Sequence, residues 1–131
     1  MNEFDTKQFM EWVYQYANGV TGISDVVLSN PTVESIFPCF VLGTALKRVI
    51  RTDNGIPVEI ALSVPIEVWA ETKYGCMELL DDLDVELREN LNLTRTITTI
   101  DLYDEITRKY RYGGNYETIY NALTGAFENR R

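Results

Sequence analysis

Histidine is missing from the sequence altogether, and cysteine occurs only twice, at Cys39 and Cys76. Without an imidazole the chain has no side chain that titrates unperturbed near neutral pH, so the commonest general base is excluded. A Cys–His nucleophile pair and a zinc site of Cys and His type are excluded with it. The cysteines form no CxxC, and they read as small buried apolar residues in a reducing compartment. No Gly-rich phosphate loop with Lys and Ser/Thr occurs, "YGGN" does not supply one, and there is no GxSxG elbow. Long apolar runs are lacking too: no stretch approaches the ~18 residues of a membrane span. The opening "MNEFDTKQFM" has no basic segment followed by an apolar one, so it is not a secretory signal. These absences predict a soluble, intracellular protein without catalytic residues, metal or cofactor.

What is present suits one compact domain, residues 1–131, with 45% apolar residues. The formal net charge is −8, unevenly spread: residues 1–107 carry 7 basic and 18 acidic groups, whereas residues 108–131 carry 5 basic and 2 acidic. Most of the chain would repel a phosphate backbone; its last part would not.

Asp5 followed by Gln8 is a capping pattern, and Phe9, Trp12, Val13 and Tyr16 then recur at helical spacing before Gly19, which predicts a helix over Thr6–Asn18 with its aromatic stripe on the core. Residues 19–38 read as a long irregular stretch holding a short strand near Val26–Leu28. Asn54-Gly55 marks a tight hairpin. After it, Val58, Ile60, Leu62, Val64, Ile66, Val68 and Ala70 alternate without a break, which predicts one long strand whose even-numbered residues face the helices. Phe40–Thr52 is its antiparallel partner, with Lys47, Arg48 and Arg51 placed to meet glutamates across the hairpin. Pro65 cannot donate to a ladder and marks an edge or a bulge. A second helix follows over Lys73–Asn90, with Met77, Leu79, Leu80, Leu83 and Leu87 on one side and an acidic opposite side. Adjacent Asp81 and Asp82 point about 100° apart on a helix, so they read as solvated surface and not as a chelate. β-Branched residues from Thr94 predict a third strand, "DLYDE" a bend and Gly113-Gly114 a turn or bulge; residues 119–127 alternate as a last strand, with a helix left open because Tyr116, Tyr120, Leu123 and Phe127 also lie near one helical face. The fold class expected is α+β: a single antiparallel sheet with two helices packed on one face.

The segment "RKYRYGGNYETIY" concentrates Arg108, Lys109, Tyr110, Arg111, Tyr112, Tyr116 and Tyr120. Interleaved cations and aromatics suit stacking on single-stranded nucleic acid. They suit a protein interface equally well, because Tyr and Arg bury large areas while keeping a polar end satisfied. The acidic balance and the absence of RRM, KH or helix-turn-helix signatures argue against sequence-specific nucleic-acid binding. These seven residues are therefore the candidate subunit or docking interface.

Three pieces in order, "VEIALSVPIEVWAET", "KYGCMELLDDLDVELREN" and "TRKYRYGGNYETIYNALTGAFENR", resemble the tail-terminator (tail-completion, or head-to-tail joining) proteins of tailed phages. The matching positions are Val68 and Trp69 at the end of the long strand, the helix from Lys73, and Tyr116, Glu117 and Tyr120 in the last segment. The resemblance runs from Val58 to Arg131. It implies a non-catalytic α+β subunit of a ring, commonly a hexamer, that caps the tail tube, contacts the tail tube protein and docks on the head connector or neck protein. It also implies a place in the virion tail or neck, reached from the host cytoplasm, with DNA passing through the lumen unread. A head-closure or neck protein, and an unrelated acidic binding adaptor, stay open as alternatives.

Overall fold

The computed structural model describes residues 2–129. It is α+β, with two helices and a seven-stranded sheet.

Helix α1 (Thr6–Asn18) starts where the Asp5 carboxylate accepts the Gln8 backbone N–H at 3.1 Å, and it ends at Gly19, whose N–H returns to the last turn. Phe9, Val13 and Ala17 are buried, whereas Trp12 is 37% exposed, so the aromatic stripe is only partly core. Helix α2 (Lys73–Leu91) is capped by the Thr72 hydroxyl, which accepts the Gly75 N–H at 3.0 Å. It closes on Asn92 in the left-handed region, φ 49°. Its buried residues are Cys76, Leu80, Leu83, Leu87 and Leu91.

Strand β4 (Ile56–Ala70) organises the sheet. Along one side run β2 (Cys39–Leu42) and then β3 (Leu46–Asp53), both antiparallel to it. Along the other runs β6 (Lys109–Asn121), paired with it from Glu59↔Asn121 to Ala70↔Tyr110. Strand β5 (Thr94–Asp104) and the short β7 (Ala126–Glu128) flank β6, and β1 (Asp25–Val27) flanks β2. The buried side chains of α1 and α2 share one core with Ile60, Leu62, Val64, Ile66, Val68 and Ala70, the even-numbered face of β4. That alternation is as the sequence predicts.

The structure corrects several expectations. The sheet is mixed, because β1 runs parallel to β2 (Asp25↔Cys39, Val26↔Phe40) after a crossover through residues 28–38. The single partner strand expected over Phe40–Thr52 is two strands separated by Gly43–Ala45. Pro65 is neither on an edge nor in a bulge of its own strand: it is central in β4 and pairs with Asn115. Its backbone faces the gap between β2 and β3, where its carbonyl accepts the Gly43 N–H at 2.8 Å, so its missing donor interrupts no ladder. A Cβ on Gly43 would lie 2.3 Å from the Pro65 ring, and this is why the break falls at a glycine. "DLYDE" is not a bend. Asp101–Asp104 complete β5, and the turn comes at residues 105–108, where Arg108 has φ 59° and the Asp104 carboxylate accepts from the Thr107 N–H (2.9 Å) and hydroxyl (2.7 Å). Gly113 and Gly114 lie in the middle of β6. They leave room for β4 on one side and, on the other, for β5, whose register shifts twice, between Arg95 and Ile97 and between Thr98 and Ile100. The strand expected over residues 119–127 is broken by a turn at residues 122–125.

Candidate functional site

The basic, tyrosine-rich segment is a strand, and its interleaving is the period of a strand. In β6 the even residues lie beside the even residues of β4: Tyr110 beside Ala70, Tyr112 beside Val68, Tyr116 beside Val64 and Tyr120 beside Ile60. All four tyrosines therefore turn toward the helices, while Lys109 and Arg111 turn to the opposite face.

Tyr116 is wholly buried and Tyr120 is 7% exposed, so neither belongs to a surface, and the interface expectation is corrected for both. Both needed hydroxyl partners in order to be buried, and both have them. Tyr120 donates to the Asn2 carbonyl at 2.9 Å, and Tyr116 donates to the Asp84 carboxylate of α2. Arg95 of β5 meets the same carboxylate at 2.8 Å and Asp81 at 3.2 Å, and its guanidinium lies 5.6 Å from the Tyr112 ring centroid. Burial pushes the Asp84 carboxyl above the usual carboxylate range, and the bonds from Tyr116 and Arg95 offset this only in part. Burial, reinforced by the Asp84 charge, also pushes the Tyr116 phenol up. The network ties α2 to β5 and β6. Tyr110 and Tyr112 are half-buried at its margin, with Tyr110 edge-on to Tyr103 at 5.0 Å.

The two cations behave otherwise. Arg111 bonds the Glu67 carboxylate twice, Nε to Oε1 at 2.9 Å and Nη2 to Oε2 at 3.2 Å, and its guanidinium lies over the Trp69 ring at 4.6 Å. The Trp69 indole N–H donates to the same carboxylate, and Phe37 stacks on Trp69 at 6.4 Å. Lys109 lies 5.0 Å from the Phe37 centroid and pairs with Glu71 at 3.0 Å. Below them Cys39, Val41 and Trp69 form a second small core, with Phe37 and Val27 against it. A bidentate, stacked Arg on a buried carboxylate is a structural lock in which both charges are neutralised within the protomer. Sequence reasoning missed Glu67 and Phe37 as its members. Alternation placed Glu67 on the face opposite the helices, but the 44 residues between Glu67 and Arg111 left only the sheet register to join them.

Arg108 alone of the seven is exposed, in the turn before β6. The structure thus brings Lys109 and Arg111 together on one face, gathers the tyrosines on the other, and leaves Arg108 apart. Among the described residues no group of three His, Cys, Asp or Glu side chains is placed to hold a metal ion. No described helix is long and apolar enough to cross a membrane. Both thiols are free and buried: burial raises Cys39 to about 12, helped by Asp25 and Glu67, and raises Cys76 to about 11. Neither is therefore a ready nucleophile. The surface depressions are shallow. One of about 190 Å³ lies between Arg48, Leu62 and Glu117, and another of about 320 Å³ lies along α1 between Met10, Tyr14 and Leu28.

No protein-family model matches the chain, and no curated protein matches it.

Proposed function

We propose that the chain is a non-catalytic ring subunit of the head–tail junction of a tailed phage, acting as a tail terminator. The observation that carries this is the packing of the three resembling segments into one unit. The long strand runs through Val68-Trp69 to Ala70, α2 follows at once, and the last segment returns as β6 beside the same strand from Glu59 to Ala70. In this reading two helices cover one face of a single-domain subunit, and the subunits form a ring, a hexamer by the resemblance. The ring stops tail-tube growth on one side, by contact with the tail tube protein, and receives the head connector on the other. It belongs to the virion and is assembled from the host cytoplasm. The net charge of −8 agrees with DNA passing through such a ring without being gripped in a sequence-dependent way.

The test is genetic and visual. A phage lacking this gene should make full heads and tails of uncontrolled length that fail to join, and supplying the protein should restore joined particles. Tails of normal length on particles that leak DNA from the head would assign the chain to head closure. Normal, infectious particles would return it to the class of unrelated acidic adaptors.

A further inference from the structure

The sheet has two long free edges on opposite sides. Strand β3, eight residues and exposed throughout, pairs only with β4 among the described strands; β5, eleven residues, pairs only with β6. Each presents a row of outward N–H and C=O groups, together with exposed apolar side chains: Leu46 (68%), Val49 and Ile50 on β3, and Ile97, Leu102 (45%) and Tyr103 on β5. An exposed, apolar, unpaired edge invites another strand.

The two edges are complementary in charge. Strand β3 carries Lys47, Arg48 and Arg51 against Asp53, and Arg51 is already held by Glu59 at 2.5 Å. Strand β5 carries Asp101 and Asp104 against Arg95, which the Asp84 network holds inside. A cationic edge therefore stands on one side of the molecule and an anionic edge on the other. Pairing either edge with itself about a two-fold axis would set like charges together. Of the two short edge strands, β7 lies on the same side as β5, and β1, three residues long, bears Asp25, which fits the β5 edge poorly.

Strand direction agrees. Strand β3 is antiparallel to β4, β6 is antiparallel to β4, and β5 is antiparallel to β6, so β3 and β5 run in opposite directions. Two copies placed side by side in the same orientation bring β5 of one against β3 of the next as an antiparallel pair. Away from the register shifts, one register satisfies both faces. Leu102 meets Leu46 on the face opposite the helices, and Asp101 meets Lys47 on the helix face. Asp101 pairs with Lys73 at 3.1 Å and is half-exposed, so its carboxylate has an oxygen for a second cation.

This register staggers successive copies. Leu102 stands level with Trp69, through Arg111, whereas Leu46 stands opposite Ser63. Those six residues of β4 are a shift of roughly 20 Å across four strands that span roughly 19 Å. A slope on the order of 45° is close to the tilt of roughly 35–45° that closed sheets require.

We propose that the β5 edge of one protomer pairs antiparallel with the β3 edge of the next copy, Leu102 opposite Leu46 and Asp101 opposite Lys47, and that repetition of this head-to-tail contact closes the ring. The inference rests on the ring reading above and supplies its subunit contact.

Cysteine cross-linking tests it. Leu46→Cys and Leu102→Cys proteins, mixed and gently oxidised, should give a disulfide-linked dimer containing one of each. Either protein alone should give none, and the double variant should give a ladder ending in a closed species. The native thiols are buried and serve as background in the unmodified protein. Lys47→Glu should weaken self-association about tenfold in sedimentation or light scattering, and adding Asp101→Lys should recover most of the loss. An oligomer that forms but does not cross-link, and ignores both reversals, overturns the edge contact and leaves the ring standing. Cross-linking of Leu102→Cys to itself overturns it in favour of a two-fold dimer. A protein that stays monomeric at millimolar concentration and gives no mixed dimer removes both the ring and its contact.

Discussion

The lock formed by Glu67, Trp69 and Arg111 allows a quantitative test of how the sheet face opposite the helices is held. Arg111→Met removes the guanidinium but keeps much of its packing over Trp69. It strands the Glu67 carboxylate, 7% exposed, with the Trp69 indole N–H as its remaining donor in the lock. Orphaning a fully buried charge costs about 3–5 kcal/mol. Here the pair's side chains are 9% and 21% exposed, so water reaches part of the site and about 2–3 kcal/mol is expected. Glu67→Gln keeps an acceptor for the indole and loses the charge, for about 1–2 kcal/mol. In the double variant no buried charge is stranded, so its loss should fall short of the sum by about 1–2 kcal/mol. Arg111→Lys should recover little, because an ammonium neither forks onto both carboxylate oxygens nor stacks on the ring. Urea unfolding followed by tryptophan fluorescence measures all four proteins, and the coupling should persist at 0.5 M salt, since a buried pair is poorly screened. A coupling below about 0.5 kcal/mol, or one abolished by salt, would make the cluster an ordinary surface ion pair and refute the reasoning. One practical consequence follows. Reversing the charge at Arg111 should unfold this part of the protomer, so only Arg108 offers a clean surface reversal in this segment.

Leu62→Ala, at the centre of the core face of β4, should cost about 2–5 kcal/mol by the same urea assay, and a loss below 1 kcal/mol would deny that this face is core. The folded state holds its thiol protons up to about 11 and 12, against an ordinary value of 9.0, so stability should fall as pH rises above 9.0, by about 1.4 kcal/mol per pH unit for each thiol. Cys39→Ala and Cys76→Ala should each flatten that decline, and an unchanged slope in both refutes the assignment. For Asp84 the raised carboxyl makes the folded state the better proton binder. The stability advantage of the natural protein over Asp84→Asn should therefore be largest at acid pH and shrink as pH rises above about 4, and an advantage that grows instead would show the ionised form to be the favoured one. Labelled duplex and single-stranded DNA should show no sequence-specific binding at physiological salt, and tight binding with a steep salt slope would return Arg108, Lys109 and Arg111 to phosphate contacts.

The elements with a strong local period were legible in the sequence: α1 and α2 from their caps and apolar stripes, and β4 from its alternation. What could not be read was register. The division of the partner strand at Gly43 is set by a proline more than twenty residues away. The parallel pairing of β1 with β2 depends on a crossover through a segment without periodicity. The tyrosines and cations after Arg108 read as one cluster because they are neighbours in sequence. The same alternation that identified β4 would have sorted them onto two faces, Tyr116 and Tyr120 into the core and Arg111 onto Trp69. Even then the partners Asp84 and Glu67, 32 and 44 residues away, are joined to them only by the fold.

The pairing of β4 with β6 bears on how the protein is made. Ile60 and Tyr120 are neighbours in the sheet but sixty residues apart in the chain, with α2 and β5 translated between them. On a ribosome the fifteen residues of β4 emerge long before the strand that pairs with them from Glu59 to Ala70. Until then the nascent chain carries an apolar, alternating strand with only β2 and β3 to pair with, along its other side, and contacts of such sequence separation form slowly. Chains released before Asn121 should therefore accumulate in aggregates out of proportion to the few residues they lack, and slowed translation across β6 should lower the yield of folded protein more than slowing anywhere upstream.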